Sequence, residues 1–167
     1  MRKLQILKTI VDYVWIISLI CYPLAVLFSG MVFIDKNPFD IKVTLIGNTV
    51  DLNMPLGKTV LFIDLINFGV LLVALFYFRK LLTAFAKRII FEDEIILLLH
   101  KIGLFIITGS ILYLIADLLT KVSQHKIGID IGFGPFLYLL ALGLFFNVLS
   151  EVFTIAKRMK EENDLTI

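Results

Sequence analysis

The chain is poor in the residues that carry most chemistry. It has one cysteine and two histidines among its 167 residues. Cys21 alone excludes an internal disulfide and a CxxC redox centre. It lies among Leu19, Ile20 and Tyr22, with no histidine in the same apolar segment, so a buried structural thiol is expected there. His100 and His125 fall on opposite sides of the expected topology and cannot share a metal. No GxGxxG, P-loop, HExxH or GxSxG motif occurs. Nothing implies a cofactor, and no nucleophile–base pair or metal cluster implies an enzyme. Charge is scarce too, at 18% against roughly 25% in ordinary soluble domains. Sixteen basic and fourteen acidic residues leave a net charge of +2, too balanced for a nucleic-acid binder.

What is abundant is apolar surface. Fifty-nine per cent of the residues are apolar and the mean hydropathy is +0.96. A chain this short cannot hide so much apolar surface in one soluble core. A soluble domain, a disordered chain and a disulfide scaffold are all excluded.

The apolar excess is concentrated in four segments, each long enough to cross about 30 Å of hydrocarbon. They run from about residue 11 to 33, 59 to 78, 102 to 119 and 133 to 153. None shows the alternation of a barrel strand, and four strands could not close a barrel. The first has the basic start of a signal peptide in Arg2, Lys3 and Lys8. Its apolar run is too long and no A-x-A site follows, so it reads as a retained helix. Pro23 removes one backbone hydrogen bond within it and predicts a kink.

An even number of spans places both termini on one side. Eleven basic residues, including Arg79, Lys80, Lys87, Arg88 and Lys101, fall with the termini. Five fall on the other side: Lys36, Lys42, Lys58, Lys121 and Lys126. The positive-inside rule then places the N-terminus, the 79–101 linker and the 154–167 tail in the cytoplasm. The expected location is a membrane, crossed four times, with both termini on its cytoplasmic face.

The 35–58 segment is the outer loop. Ile41, Val43 and Leu45 alternate with Lys42 and Thr44, then Gly47-Asn48 precedes Thr49-Val50-Asp51-Leu52. Period-two alternation about a Gly-Asn pair predicts a β-hairpin. The fold class expected is therefore all-α: an antiparallel four-helix transmembrane bundle with a small extracytoplasmic hairpin between helices 1 and 2. The 79–101 linker is amphipathic, with Leu81, Leu82, Phe85 and Ile89 on one face beside basic residues. That pattern suits an anionic leaflet. Asp93 is placed to cap the helix entering the third span.

Polar residues inside the spans are the most specific signal, because each must find a partner away from lipid. Asp64 and Asn67 share a face of the second helix. Ser110, Tyr113 and Asp117 recur at helical spacing on the third, and Gly143, Asn147 and Glu151 on the fourth. Together they predict a polar seam, either interhelical glue or a cation or proton site. Asp12 and Glu151 are expected near the cytoplasmic side, Asp64 and Asp117 in the outer half. The tail residues Lys157, Arg158, Lys160, Glu161, Glu162 and Asp164 are ordered as a stop-transfer end and offer a surface for a docking partner.

Both ends of the chain resemble a bacterial family of small four-span membrane proteins, the domain of unknown function 2975. The start carries Leu4-Gln5-Ile6-Leu7-Lys8. The end carries Glu151-Val152-Phe153, then Lys157-Arg158-Met159-Lys160-Glu161-Glu162-Asn163-Asp164-Leu165-Thr166-Ile167. The linker matches in part, through Phe91-Glu92-Asp93-Glu94 and His100-Lys101-Ile102-Gly103. Ile90 stands where the family has proline, and Ile95 where it has asparagine. The resemblance implies a four-helix integral membrane protein, often encoded beside a Cro/CI-type helix-turn-helix regulator. It brings no established activity.

These observations point to a non-enzymatic membrane regulator or sensor with a cytoplasmic helix-turn-helix partner, embedded in the lipid bilayer and able to form a homo-oligomer. Two other classes are carried beside it. One is an ion or small-molecule transport component resting on Asp64, Asp117, Asn147 and Glu151. The other is an immunity protein against a membrane-active toxin, with the outer loop as contact.

Overall fold

A computed structural model describes residues 2–34, 43–45, 48–50, 56–87, 92–123 and 134–164. Four helices account for nearly all of it: α1 (Arg2–Ile34), α2 (Gly57–Ala86), α3 (Asp93–Ser123) and α4 (Gly134–Asp164). Each is long and apolar enough to cross a membrane. A helix of thirty residues is about 45 Å long at 1.5 Å per residue, so each outruns the hydrocarbon core. The chain is a multi-pass helical membrane protein.

The helices extend beyond the expected spans for that reason. Helix geometry does not stop where hydrocarbon stops, and the flanking residues Lys3–Ile10 and Thr83–Ala86 have no glycine or proline to end it. Residues 154–164, expected as a tail, are the last three turns of α4. α1 runs unbroken through Pro23.

Neighbours in sequence are neighbours in space. α1 packs on α2, α2 on α3 and α3 on α4, and among the described residues α1 makes no close backbone approach to α3 or α4. Each pair is antiparallel. Arg79 meets Asp12 and Lys58 meets Phe33 across α1–α2. Tyr77 stacks on Phe105 across α2–α3, and Asp93 meets Lys157 across α3–α4. α4 reaches α2 through aromatic side chains, with ring centroids 5.9 Å apart for Phe78–Phe146 and 6.2 Å for Phe85–Phe153. The bundle is thus an open array built on a central pair, α2 and α3.

The main core lies in that pair. Leu81 and Ala84 of α2 are buried against Ile95, Leu98, Leu99 and Ile102 of α3. A smaller cluster at the opposite end joins Val32, Val60, Leu61 and Ala116. Cys21, expected to be buried, is exposed on α1. Among the described residues the close backbone contacts of α1 with another helix are all with α2, so most of its circumference faces outward.

The expected hairpin is corrected: the fold is four helices, and among the described residues no hairpin of the expected register joins α1 to α2. The expectation placed Asn48 in the turn and carried the second strand through Asp51-Leu52. Asn48 instead lies opposite Leu45, in a ladder that among the described residues joins Val43–Leu45 (β1) to Asn48–Val50 (β2). Three residue pairs are too few to make an independent unit. The pairing approaches the ends of α2 and α3 and is an appendage of them. Ile41, Lys42, Gly47, Asp51 and Leu52 lie outside the described residues, as do Lys36, Arg88, Ile89, Ile90, Phe91, His125, Lys126 and Leu165-Thr166-Ile167.

Candidate functional site

The polar residues expected to form one seam separate into two groups and two outliers. The first group sits between α2 and α3. Asp64, Asn67 and Ser110 are each 0% exposed, and Tyr113 is buried beside them. Asn67 faces Gly109, where a Cβ would lie 3.1 Å from the carboxamide Oδ1 and 2.8 Å from Leu71 Cδ2. The glycine makes room for the amide. Among the described residues neither Oδ1 nor Nδ2 of Asn67 has a hydrogen-bond partner. An amide buried that way costs about 1–3 kcal/mol. Ser110 bonds within its own helix, Oγ donating to the Ile107 carbonyl at 2.7 Å. Tyr113 lies within electrostatic reach of Asp64 and Asp117.

The second group lies between α3 and α4, nearer the termini. Gly103 and Gly143 bring these backbones together: a Cβ on Gly103 would sit 2.8 Å from the Gly143 carbonyl oxygen. A Cβ on Gly143 would sit 2.6 Å from Ile107 Cγ1 and 3.0 Å from the Gly103 oxygen. Asn147 packs its Oδ1 against Gly103, buried and with no hydrogen-bond partner among the described residues. Ser150 completes the contact by donating to the Ile96 carbonyl at 2.9 Å. Glycine-mediated approach with hydroxyl cross-bonds is the usual way to join helices in lipid, where apolar surface gives no drive to associate.

The outliers are Asp117 and Glu151. Asp117 is at the far end of α3 and pairs with Lys121 one turn on, at 2.9 Å. Glu151 is exposed on α4, while its neighbour Ser150 points inward. Neither acid joins the buried groups. Among the described residues no three His, Cys, Asp or Glu side chains are arranged to hold a metal ion.

The tail residues form an exposed, charged helix end. Lys157 ties this end to α3: its Nζ lies 2.6 Å from Asp93 Oδ2 at the start of α3 and 3.5 Å from Glu161 Oε1. The hydrogen bond to Asp93 is the main cause of a Lys157 ammonium held above its usual pKa. Arg158 pairs with Glu162 at 3.2 Å within the helix. Lys160, Glu161, Glu162 and Asp164 are exposed. Asp93 thus opens α3, where its negative charge suits the helix dipole, and also clamps α4.

One constellation was not found in the sequence. Asp12 of α1 accepts a hydrogen bond from Arg79 Nε of α2, and the same guanidinium lies 4.4 Å from the Trp15 ring centre. Asp12 and Arg79 sit at equal depth when two antiparallel helices are laid side by side. That depth match was the available signal.

A family model described as a protein of unknown function (DUF2975) matches residues 7–167, and the chain belongs to this family. No curated protein and no solved structure matches the chain.

Proposed function

We propose that this four-helix protein is a non-enzymatic regulator or sensor of the bacterial cytoplasmic membrane, with both termini cytoplasmic and a helix-turn-helix protein as partner. The observation that carries the reading is the end of α4. It continues as helix to Asp164, presents exposed acidic and basic side chains, and is fixed to α3 through Lys157–Asp93. A rigid charged helix end outside the hydrocarbon is a suitable docking element, and a shift of α4 against α3 would move it. The end of the array bearing Arg79, Lys80, Lys101 and Lys157 is rich in cations, which supports its cytoplasmic placement. The test is co-purification of the regulator with the intact chain and with a chain cut after Lys157. Recovery is expected to fall with the cut; unchanged recovery would sink the reading.

A second reading, ion or small-molecule handling, is favoured by one observation: Asp64 is completely buried alongside Asn67 and Ser110. It requires Asp64→Asn to abolish ion-dependent stabilisation of the detergent-solubilised protein. Melting that responds neither to ions nor to Asp64→Asn would leave the cluster as helix-joining structure.

A further inference from the structure

The α1–α2 side of the molecule carries a groove that the polar clusters do not touch. Its volume is about 540 Å³, and its walls are almost wholly apolar, with Trp15 and Tyr22 on α1 and Phe105 of α3 at its floor. Along α2 it follows Ile66, Gly69, Val73 and Phe76, at alternating steps of three and four residues. Gly69 deepens it, because a side chain there would collide with the Tyr22 ring. The same stripe continues beyond Phe76 as Lys80, Thr83 and Lys87. These three line a second recess of about 340 Å³, together with Arg79 and, from α3, Glu94. Phe76 is a wall of both spaces, so the apolar groove opens directly onto the basic recess.

We infer that this joined groove and recess bind an anionic phospholipid, one acyl chain lying along α1–α2 and the phosphate held at Lys80 and Lys87. Length agrees. From Ile66 to Phe76 is about 15 Å at 1.5 Å per residue, which is the acyl depth of one leaflet. Charge agrees as well. Arg79 is engaged by Asp12 and Trp15, and Lys80 lies 4.9 Å from the Phe76 ring centre. Among the described residues neither Lys80 nor Lys87 forms an ion pair, so both ammonium groups are available to a phosphate. Glu94 on the opposite rim opposes an anion and sets a limit on its strength. Phosphate oxygens suit ammonium donors, and an acyl chain suits a wall that offers no hydrogen bonds. The inference holds whether or not the chain is a regulator.

The test uses the full-length protein in detergent, melted with phosphatidylglycerol, with phosphatidylcholine of the same acyl chains, or with inorganic phosphate. Phosphatidylglycerol is expected to raise Tm more than phosphatidylcholine does, with no effect of phosphate alone. Lys80→Gln with Lys87→Gln is expected to lower the lipid-free Tm only slightly, since both side chains are exposed and only the Lys80–Phe76 contact is lost, and to weaken phosphatidylglycerol binding roughly tenfold or more. Val73→Trp fills the groove and is expected to remove stabilisation by both lipids. Native mass spectrometry reads the same variants as loss of a retained phosphatidylglycerol. Equal stabilisation by the two lipids, or a phosphatidylglycerol effect that survives the double lysine change, overturns the inference. A lysine-dependent shift with inorganic phosphate alone replaces it with a free-phosphate site.

Discussion

α3 and α4 are nearly equal in length and both apolar, yet they occupy opposite environments. The most apolar stretch of α3 is 44% buried, while those of α1 and α4 are each 11% buried. α3 is enclosed because it has a helix on either side, α2 with its large aliphatics and α4 with its glycine. Among the described residues the outer helices each make close backbone contact with one neighbouring helix and leave most of their surface to lipid. Membrane burial removes the contrast that identifies a core in water: a lipid-facing leucine and a core leucine have the same chemistry. What separates the two interfaces of α3 is closeness of approach. α2–α3 is filled by Leu81, Leu98, Leu99 and Ile102, whereas at α3–α4 the backbones nearly touch at Gly103 and Gly143.

That difference is most easily broken at Gly103. A Cβ there meets the Gly143 carbonyl at 2.8 Å, and backbone cannot step aside as a side-chain tip can. Gly103→Val is expected to cost about 3 kcal/mol and to separate α4 from α3, measured as a fall in Tm. Gly109→Ala is the matched control on the α2 side. Its new methyl meets the end of Leu71, which can rotate, so a loss of about 1 kcal/mol or less is expected. Equal losses at both glycines would show that the two interfaces are not built differently.

The next largest effect concerns α1, which among the described residues is held to α2 by an aromatic ladder, one ion pair and the Lys58 contact with the Phe33 carbonyl. Trp15–Phe76, Tyr22–Phe68 and Phe33–Phe62 place rings in contact at three levels, and Arg79 joins Asp12 and Trp15 at one end. Arg79→Ala removes both the pair and the stacking and is expected to cost about 1–2 kcal/mol. Arg79→Lys restores the charge but not the planar contact with Trp15, so only part of the loss should return. Full recovery with lysine would show that the indole contributes nothing.

How much of this was legible follows from the same physics. The four spans were readable because hydrocarbon imposes a length and an apolarity on any helix that crosses it. Order of packing was not, since α1 and α3 look alike in hydropathy and differ only in neighbours. Asp64, Asn67 and Ser110 were readable as an inward cluster, because polar groups in lipid must turn inward. Glu151 was misplaced because it neighbours Ser150, and only the helix's rotation decides which of the two enters the interface. Gly143 stood out in the sequence through its spacing to Asn147. Its partner Gly103 did not, because pairing two glycines requires the register of α3 on α4. The Asn48 position failed for a similar reason: shifting a ladder by one residue changes every pair, and short alternation around Gly47-Asn48 fits more than one register.

Asn67 sharpens the comparison from inside the central pair. It is a completely buried amide opposite Gly109, with no hydrogen-bond partner among the described residues for either polar atom. If α2–α3 is held by apolar packing alone, Asn67→Leu should leave Tm unchanged or raise it, by up to about 1–2 kcal/mol. A loss of about 1 kcal/mol or more would mean that the amide joins the helices, as hydroxyl donation from Ser150 does between α3 and α4.

The smallest expected effect lies outside the hydrocarbon, at the clamp between Asp93 and Lys157. The hydrogen bond to Asp93 raises the Lys157 pKa above that of the unfolded chain. The folded state therefore binds this proton more tightly. The clamp's contribution is fully present below the ordinary lysine pKa of 10.5 and is lost as pH rises through the higher folded value. Both partners reach water, so screening keeps the effect small and salt should reduce it. Asp93→Asn removes the cause of the shift. The wild-type chain should lose slightly more stability than Asp93→Asn when pH is taken from neutral to above 10.5, and the two curves should converge at the alkaline end. Parallel curves across that range would mean that α4 is positioned by Gly103, Gly143 and Ser150 alone, with the charged end free to move.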